Sequence, residues 1–226
     1  HFFLETLYSN VIPVYNIIDI ILKINKKIRF YNSSSCEIFK DSKLPLNEKS
    51  LKDPATIYGL SKLISFEMVK FFRKKYKLKI CSGIMFHHES ILRDKEFVLR
   101  KITSSAKKIK LKQQKYLFLG NINVSKDWGW APEYVELIYK MNNQKKIEDL
   151  IIATGKTVKL KFLLKQIFDY HNLNWKNHIK LQQSLFRKFD FKISRANNKK
   201  VIKKLKWKPM NTAKEVVNKL LINKLY

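Results

Sequence analysis

The chain has 226 residues, a length that fits one domain or two small interleaved domains. Its 47 Lys and Arg against 18 Asp and Glu give a net charge of +29, and 45% of its residues are hydrophobic. An apolar content of this size excludes an intrinsically disordered protein. The two cysteines are far apart in the sequence and lack metal-ligand spacing, which excludes a disulfide scaffold and a zinc finger and favours a reducing compartment.

The composition also bears on membranes and nucleic acids. No uninterrupted apolar run reaches the roughly 20 residues of a membrane span, and the first residues show no signal-like pattern. We therefore expect a soluble, cytoplasmic protein with no membrane partner. The high positive charge is typical of nucleic-acid binders, but Lys far outnumbers Arg and occurs in every segment. A solvated lysine-rich surface is the favoured interpretation, and nucleic-acid binding is the alternative.

The spacing of apolar residues predicts alternating helices and strands. In chain order these are a helix from 4 to about 25 that contains Pro13, a strand at 28–31, a helix at 56–75, a strand at 78–86, a helix near 95–110, a strand at 116–119, a helix near 131–142, a strand at 150–153, and helices near 158–171, 196–205 and 212–225. The alternation predicts an α/β fold with a mostly parallel sheet. Ligands bind beyond the carboxyl ends of such strands, where polar segments follow the first two.

Tyr58 and Lys62 are the most informative pair of polar residues. They are four residues apart in a predicted helix and therefore share one face. A nearby ammonium favours a phenolate, which could then act as a base near neutral pH. Ser35 and Glu37 follow the first predicted strand and can reach the same pocket. Taken alone, each of these features is also compatible with an ordinary surface pair or a solvated loop carboxylate.

The chain resembles the extended short-chain dehydrogenase/reductase family and, within it, the GDP-mannose 4,6-dehydratase family. The resemblance covers nearly all of the chain in order, in FYNSSSCEIF at 30–39, YGLSK at 58–62, GIMFHHES at 83–90 with Arg93, FVLRKI at 97–102, LGN at 119–121, KDWG at 126–129, IATG at 152–155 and LKWKP at 205–209. Related dTDP-glucose dehydratases carry Asp-Glu where this chain has Cys36 and Glu37. The missing Asp favours the GDP-mannose branch.

The resemblance implies a catalytic role for four residues. Tyr58 would take the proton of the sugar 4-hydroxyl while hydride passes from C4 to NADP, and Lys62 would lower the pKa of Tyr58 and hold the nicotinamide ribose. Glu37 would remove the C5 proton before water leaves from C6 and the hydride returns there. Ser35 stands where the family usually has Thr and would hydrogen-bond the 4-oxygen. The implied reaction converts GDP-mannose to GDP-4-keto-6-deoxymannose.

The resemblance also implies binding residues. Besides Tyr58 and Lys62, it assigns NADP contacts to His88 and Arg93. For the substrate GDP-mannose, the implied contacts are Ser35, His87, Lys126 and Arg187. His87 stands where the family has Asn.

The implied fold is the C-terminal part of a Rossmann-like doubly wound parallel sheet plus a smaller, mainly helical substrate-binding domain. Residues 1–90 and 116–155 would form the Rossmann-like part, and 91–115 and 156–226 the other domain. The family's glycine-rich turn does not occur in these 226 residues. We therefore expect the chain alone to bind NADP poorly and to catalyse little or nothing, with a separate N-terminal half as a further partner.

The resemblance extends to assembly and leaves two functional alternatives. Family members pair through helices equivalent to 4–24 and 57–75, so a homodimer or homotetramer is expected. One alternative function is that of another nucleotide-sugar dehydratase or epimerase on the same fold. The other is an inactive remnant whose lysine-rich surface binds nucleic acid.

Overall fold

The protein is described here by a computed structural model that covers residues 2–186 and 192–223. The helices are α1 (Phe2–Asn10), α2 (Ile12–Ile24), α3 (Ile57–Tyr76), α4 (Val98–Lys110), α5 (Ala131–Asn142), α6 (Leu160–Tyr170), α7 (Lys199–Leu205) and α8 (Ala213–Leu221). The strands are β1 (Arg29–Ser35), β2 (Lys79–Met85), β3 (His87–Glu89), β4 (Leu117–Leu119), β5 (Ser125–Trp130), β6 (Leu150–Ile152), β7 (Thr157–Lys159) and β8 (Ile179–Leu181). Helices and strands alternate as expected for an α/β fold.

The strands form three small sheets. The first is parallel throughout, in the order β1-β2-β6, with Ser35 opposite Met85 at its carboxyl end. The second has the order β3-β5-β7 and contains the one antiparallel pair among the described strands, β5 with β7. The third pairs β4 with β8. The expectation of one mostly parallel sheet is therefore correct in strand direction, but the strands are divided among three sheets.

The first predicted helix is two helices. The chain turns at Val11, and Pro13 lies in the first turn of α2, where its missing N–H would have no intrahelical partner. Ser65 of α3 donates a hydrogen bond to the carbonyl of Asn10 at 2.8 Å and so satisfies a group at the end of α1. This contact anchors the joint between the two helices on α3.

The segment Phe3–Ile24 is long and apolar enough to cross a membrane by length and composition alone. This differs from the sequence expectation, which considered only uninterrupted apolar runs and so passed over a segment containing Glu5, Asn10 and Asp19. In the fold, Val14, Ile18 and Ile21 pack against α3 and β2. The segment therefore serves as a core helix on one of its faces.

The start of α3 is fixed by its cap. Thr56 is in extended conformation, and its hydroxyl accepts the Gly59 N–H at 2.9 Å, which satisfies one of the free donors of the first turn. Three basic residues occupy the last turn, where cations interact favourably with the helix dipole. Lys77 then ends the helix in the left-handed conformation, with φ 57°.

A partly buried ion pair joins α3 to the amino end of β6. The guanidinium of Arg73 donates to both carboxylate oxygens of Asp149, one of them at 2.7 Å, and to the carbonyl of Ile80 at 3.1 Å. The same carboxylate accepts the Ser82 N–H at 2.7 Å. These contacts satisfy both charges and hold α3 in a fixed position relative to β2 and β6.

The hydrophobic core lies in four clusters. The largest packs α4, α6 and α8 against Trp128 and Trp130 of β5. A second lies directly under the carboxyl end of β1 and includes Ile38, Phe39 and Phe66. Because this second cluster is fully packed, it gives the residues around position 37 a rigid support.

Candidate active site

Ser35 and Glu37 occupy the carboxyl end of β1. Ser35 is the last residue of the strand, and its hydroxyl accepts the Glu37 N–H at 3.2 Å. This bond begins a single turn of 3-10 helix over Cys36–Ile38. The neighbours Cys36 and Ile38 are buried, so the half-buried Glu37 is the side chain of this turn that faces a polar environment.

Tyr58 and Lys62 lie on the first two turns of α3, one turn apart on the same face. The Lys62 ammonium is 5.6 Å from the centre of the Tyr58 ring. The Ser35 hydroxyl lies close enough to the Tyr58 phenol to lower the pKa of Tyr58. The structure therefore brings Ser35, Glu37, Tyr58 and Lys62 together at the carboxyl end of β1.

The pKa of Tyr58 is raised, which is opposite to the direction expected from the sequence. Burial is the largest cause, the Glu37 carboxylate raises the pKa further, and the Ser35 hydroxyl lowers it. Burial also lowers the pKa of Lys62. The sequence expectation counted the ammonium and left out the burial of the phenol and the carboxylate beside it, both of which favour the neutral hydroxyl.

His88 lies in β3, and Arg93 lies in the loop that follows it, close enough to the Tyr58 phenol to lower the pKa of Tyr58. The Nδ1 atom of His88 is 2.9 Å from the carbonyl oxygen of Phe86, and its ring packs on Tyr134 with centroids 5.4 Å apart. Burial lowers the pKa of His88, the Phe86 carbonyl raises it, and Arg93 lowers it. A neutral imidazole is thus favoured at this position.

Arg93 has unused hydrogen-bonding capacity. Its guanidinium lies over the Phe97 ring at 3.6 Å, and its Nε is 4.0 Å from Glu89 Oε2, beyond hydrogen-bond distance. Within the described part of the chain, these two buried atoms have no hydrogen-bond partner. A cation with an unsatisfied buried donor suits an anionic group such as a phosphate.

Of the remaining substrate residues predicted from the sequence, the structure describes two and not the third. His87 lies opposite Trp128 in the β3–β5 register, with ring centroids 6.2 Å apart, and Lys126 lies two residues earlier on β5 and is buried. The two therefore share one sheet. Arg187 lies outside the described residues.

Two polar residues of this region were not singled out by sequence reasoning. Thr56 donates a hydrogen bond to Glu37 Oε2 at 3.0 Å, and its sequence signal is a Thr directly before a helix. Asp127 accepts hydrogen bonds from the Thr154 N–H, the Thr154 hydroxyl and the Gly155 N–H at 2.7–2.9 Å. Burial raises the pKa of Asp127 to about 6, and the hydrogen bonds oppose the shift. Asp127 links β5 to the loop after β6.

No group of three or more His, Cys, Asp or Glu able to hold a metal ion is found among residues 2–186 and 192–223. The cluster at β1 offers hydroxyl, ammonium and carboxylate groups. A phenol, a lysine, a carboxylate and a serine in contact can transfer protons to and from an alcohol and an acidic carbon.

The chain matches one protein family over most of its length. The profile of the family described as GDP-mannose 4,6 dehydratase matches residues 4–220. GDP-mannose 4,6 dehydratase 1 of Arabidopsis thaliana is 36% identical over 184 residues, covering 81% of this chain and 51% of that protein. The human GDP-mannose 4,6 dehydratase is 30% identical over 212 residues, covering 86% and 57%. The chain thus spans about half the length of the curated relatives it matches.

Solved structures show the same fold at low sequence identity. The structure of RMD from Pseudomonas aeruginosa complexed with NADPH has a TM-score of 0.87 at 17% identity, covering 96% of this chain and 73% of that one. The dTDP-glucose 4,6-dehydratase of Bacillus anthracis in complex with NAD has a TM-score of 0.85 at 16% identity, covering 96% and 67%. These structures support the assignment of the fold, and the sequence matches identify the family. The chain belongs to the GDP-mannose 4,6-dehydratase family.

Proposed function

We propose that this chain carries the catalytic groups of a GDP-mannose 4,6-dehydratase, a hydro-lyase that converts GDP-mannose to GDP-4-keto-6-deoxymannose. The observation that supports this most directly is the grouping of Ser35, Glu37, Tyr58 and Lys62 at the carboxyl end of β1. Family membership supplies the substrate class.

The first step is an oxidation at C4 of the sugar. Tyr58 takes the proton of the 4-hydroxyl, and the Ser35 hydroxyl orients the 4-oxygen by a hydrogen bond. The nicotinamide, when bound, takes up the hydride from C4 and later returns it to C6. Lys62 stabilises the phenolate that Tyr58 must form, because its ammonium is the cation one helical turn away. The raised pKa of Tyr58 makes this stabilisation necessary.

The second step is the loss of water across C5 and C6. The 4-ketone makes the C5 proton acidic, and the Glu37 carboxylate removes it. The electron pair left at C5 forms the C5–C6 double bond as the 6-hydroxyl leaves as water, taking with it the proton that Glu37 has removed from C5. Glu37 distinguishes this reaction from that of an epimerase on the same fold, which needs no base for an elimination.

The cofactor in the proposal is NADP. Lys62 and Tyr58 would hold the nicotinamide ribose, and His88 and Arg93 would contact the ribose and phosphates. The unsatisfied buried Nε of Arg93 fits an anionic ligand at this place. For GDP-mannose, we propose contacts with Ser35, His87, Lys126 and Arg187.

The proposal also covers domain organisation and setting. Residues 1–90 and 116–155 are assigned to the C-terminal part of a Rossmann-like doubly wound domain, and 91–115 and 156–226 to a substrate-binding domain. Helices α1, α2 and α3 are assigned to the subunit contact of a homodimer or homotetramer. A cytoplasmic setting accords with Cys36 and Cys81, which are both free and buried.

The test separates the two chemical steps. NADP and GDP-mannose are titrated into the chain with and without a polypeptide that carries the family's glycine-rich N-terminal part. Glu37→Gln should still oxidise C4 and accumulate reduced nicotinamide while product formation falls about 10²–10⁴-fold. Tyr58→Phe should lose both signals to a similar extent. Glu136→Gln, on the exposed face of α5, is the matched control and should behave like the unaltered chain.

Two outcomes would contradict the proposal. One is a Glu37→Gln variant that forms product at the normal rate. The other is an unaltered chain that neither binds GDP-mannose nor forms reduced nicotinamide when the N-terminal polypeptide is present.

A further inference from the structure

Thr56 makes two hydrogen bonds with one hydroxyl group. Its oxygen accepts the Gly59 N–H at 2.9 Å, and its proton is donated to Glu37 Oε2 at 3.0 Å. A hydroxyl has one proton to donate, so the bond from Gly59 fixes the oxygen and the bond to Glu37 fixes the direction of the proton. The first turn of α3 thereby determines where one oxygen of the Glu37 carboxylate lies.

The backbone around Glu37 is held by the same helical turn. A Cβ built on Gly59 would lie 2.4 Å from the carbonyl oxygen of Glu37. The first turn of α3 therefore packs directly against the backbone of Glu37 at Gly59. On its other side, the Glu37 N–H donates to the Ser35 hydroxyl. The backbone of Glu37 is thus held between β1 and α3, and Thr56 adds the contact that orients its side chain.

We infer that Thr56 is a positioning residue for Glu37, the base of the elimination step; this inference rests on the proposed function. Thr56 is assigned no contact with the sugar or the cofactor and acts only through the Glu37 carboxylate. The hydrogen bond from the Thr56 hydroxyl occupies Oε2 of Glu37. It therefore directs the C5 proton to Oε1 and fixes the direction from which Oε1 approaches the sugar.

The expected size of the effect follows from orientation. A misplacement of a reacting group by about 1 Å costs on the order of 10² in rate. Loss of the Thr56 proton should therefore slow proton removal at C5 and leave oxidation at C4 nearly unchanged, because Tyr58 is held by its own position on α3. A merely structural role would slow both steps together.

The variants separate the helix cap from the bond to Glu37. Thr56→Ser keeps both functions. Thr56→Gly loses the hydroxyl, but Gly is itself a good N-cap residue, so the start of the helix is kept. Thr212→Gly removes the corresponding hydroxyl from the N-cap of α8 and is the matched control.

The reaction measured is exchange of the C5 proton of GDP-4-keto-6-deoxymannose in deuterated water. In this exchange the Glu37 carboxylate removes the C5 proton, the electron pair is held as the enolate of the 4-ketone, and a deuteron from solvent is returned to C5. The exchange rate should fall about 10–100-fold in Thr56→Gly and change less than about 3-fold in Thr56→Ser and Thr212→Gly. The rate of reduced nicotinamide formation from GDP-mannose should change less than about 3-fold in all three.

The structures of the variants without substrate give a second readout that does not depend on activity. In Thr56→Ser the Glu37 carboxylate should keep its position, and in Thr56→Gly it should move or take several positions. An unchanged carboxylate in Thr56→Gly overturns the inference, as does a Thr56→Gly variant with normal exchange. All exchange and oxidation assays include NADP and the N-terminal polypeptide. An unaltered chain that neither exchanges nor oxidises under these conditions contradicts the proposed function instead, and the structural comparison then decides on Thr56.

Discussion

Glu89 is a buried carboxyl group whose pKa burial raises to about 7 from an ordinary value of 4.5, while Arg93 and Arg100 oppose the shift. The folded state therefore holds the proton more tightly than the unfolded state. Stability from this group is fully present below pH 4.5 and is lost as the pH rises through 7. A shift of this size corresponds to a loss on the order of 3 kcal/mol over that window.

The variant Glu89→Gln should remove this loss, because an amide resembles the protonated acid and does not titrate. Its free energy of unfolding, measured by urea denaturation at several pH values from 4.5 to 7, should fall less with pH than that of the unaltered chain. Part of the fall should remain, because burial also raises the pKa of Asp127 to about 6. Glu136→Gln, at an exposed position, is the control. Equal pH dependence in Glu89→Gln and the unaltered chain would refute this prediction.

At this scale, the sequence indicates which residues meet but not how their environment changes them. Helical spacing places Tyr58 and Lys62 on one face, and a polar segment after a strand places Ser35 and Glu37 within reach of them. The roles proposed for these residues come from the family resemblance. The contact between Thr56 and Glu37 joins residues that are 19 apart. No local pattern encodes it, because it depends on how α3 packs against the end of β1. The predicted direction of the Tyr58 pKa shift was wrong for a related reason, because the burial of a side chain depends on the whole fold.

At the scale of elements, the start of α3 depends on the absence of a side chain at position 59. A helical Gly→Ala change usually stabilises by roughly 0.5–1 kcal/mol. Here the new Cβ would lie 2.4 Å from the Glu37 carbonyl oxygen, so helix and strand end must separate. Overpacking of this kind costs about 1–3 kcal/mol and should outweigh the gain.

Gly59→Ala should therefore lower the free energy of unfolding in urea by about 1–2 kcal/mol. Lys70→Ala, at an exposed position of the same helix, is the control and should change it by less than about 0.5 kcal/mol. A Gly59→Ala protein more stable than the unaltered chain would mean that α3 and Glu37 are not in the contact described.

The elements themselves were predicted well where they are long. The predicted helices are confirmed within a few residues for α3, α5 and α6, because their apolar positions repeat at helical spacing over three turns or more. Strands β3, β7 and β8 have three residues each and, unlike the equally short β4 and β6, are not continuous apolar runs, so neither alternation nor apolar character marks them. Strand β5 was missed because Lys126 and Asp127 are polar yet buried, which obscures the pattern of a core strand.

At the scale of the whole molecule, the segment α1–α2 is apolar on two faces. One face packs on the first sheet and α3, whereas Ile17, Ile20 and Ile24 lie on another face and are exposed, Ile24 to 75%. Leu60 and Ile64 add exposed apolar surface on α3. A contiguous surface of this kind marks an interaction site. Two partners are consistent with it, namely a second copy of the chain and a membrane.

We expect the partner to be a second copy of the chain, because the exposed apolar faces of two copies can cover each other. The opposite face of the segment already packs in the core. Sedimentation should show a dimer, and Ile20→Asp should convert it to a monomer, because a carboxylate would be buried without a partner in the contact. Val135→Asp, at an exposed apolar position of α5, should leave the dimer intact. Neither protein should float with phosphatidylcholine vesicles. Flotation of the unaltered chain that is lost in Ile20→Asp would assign the face to a membrane instead.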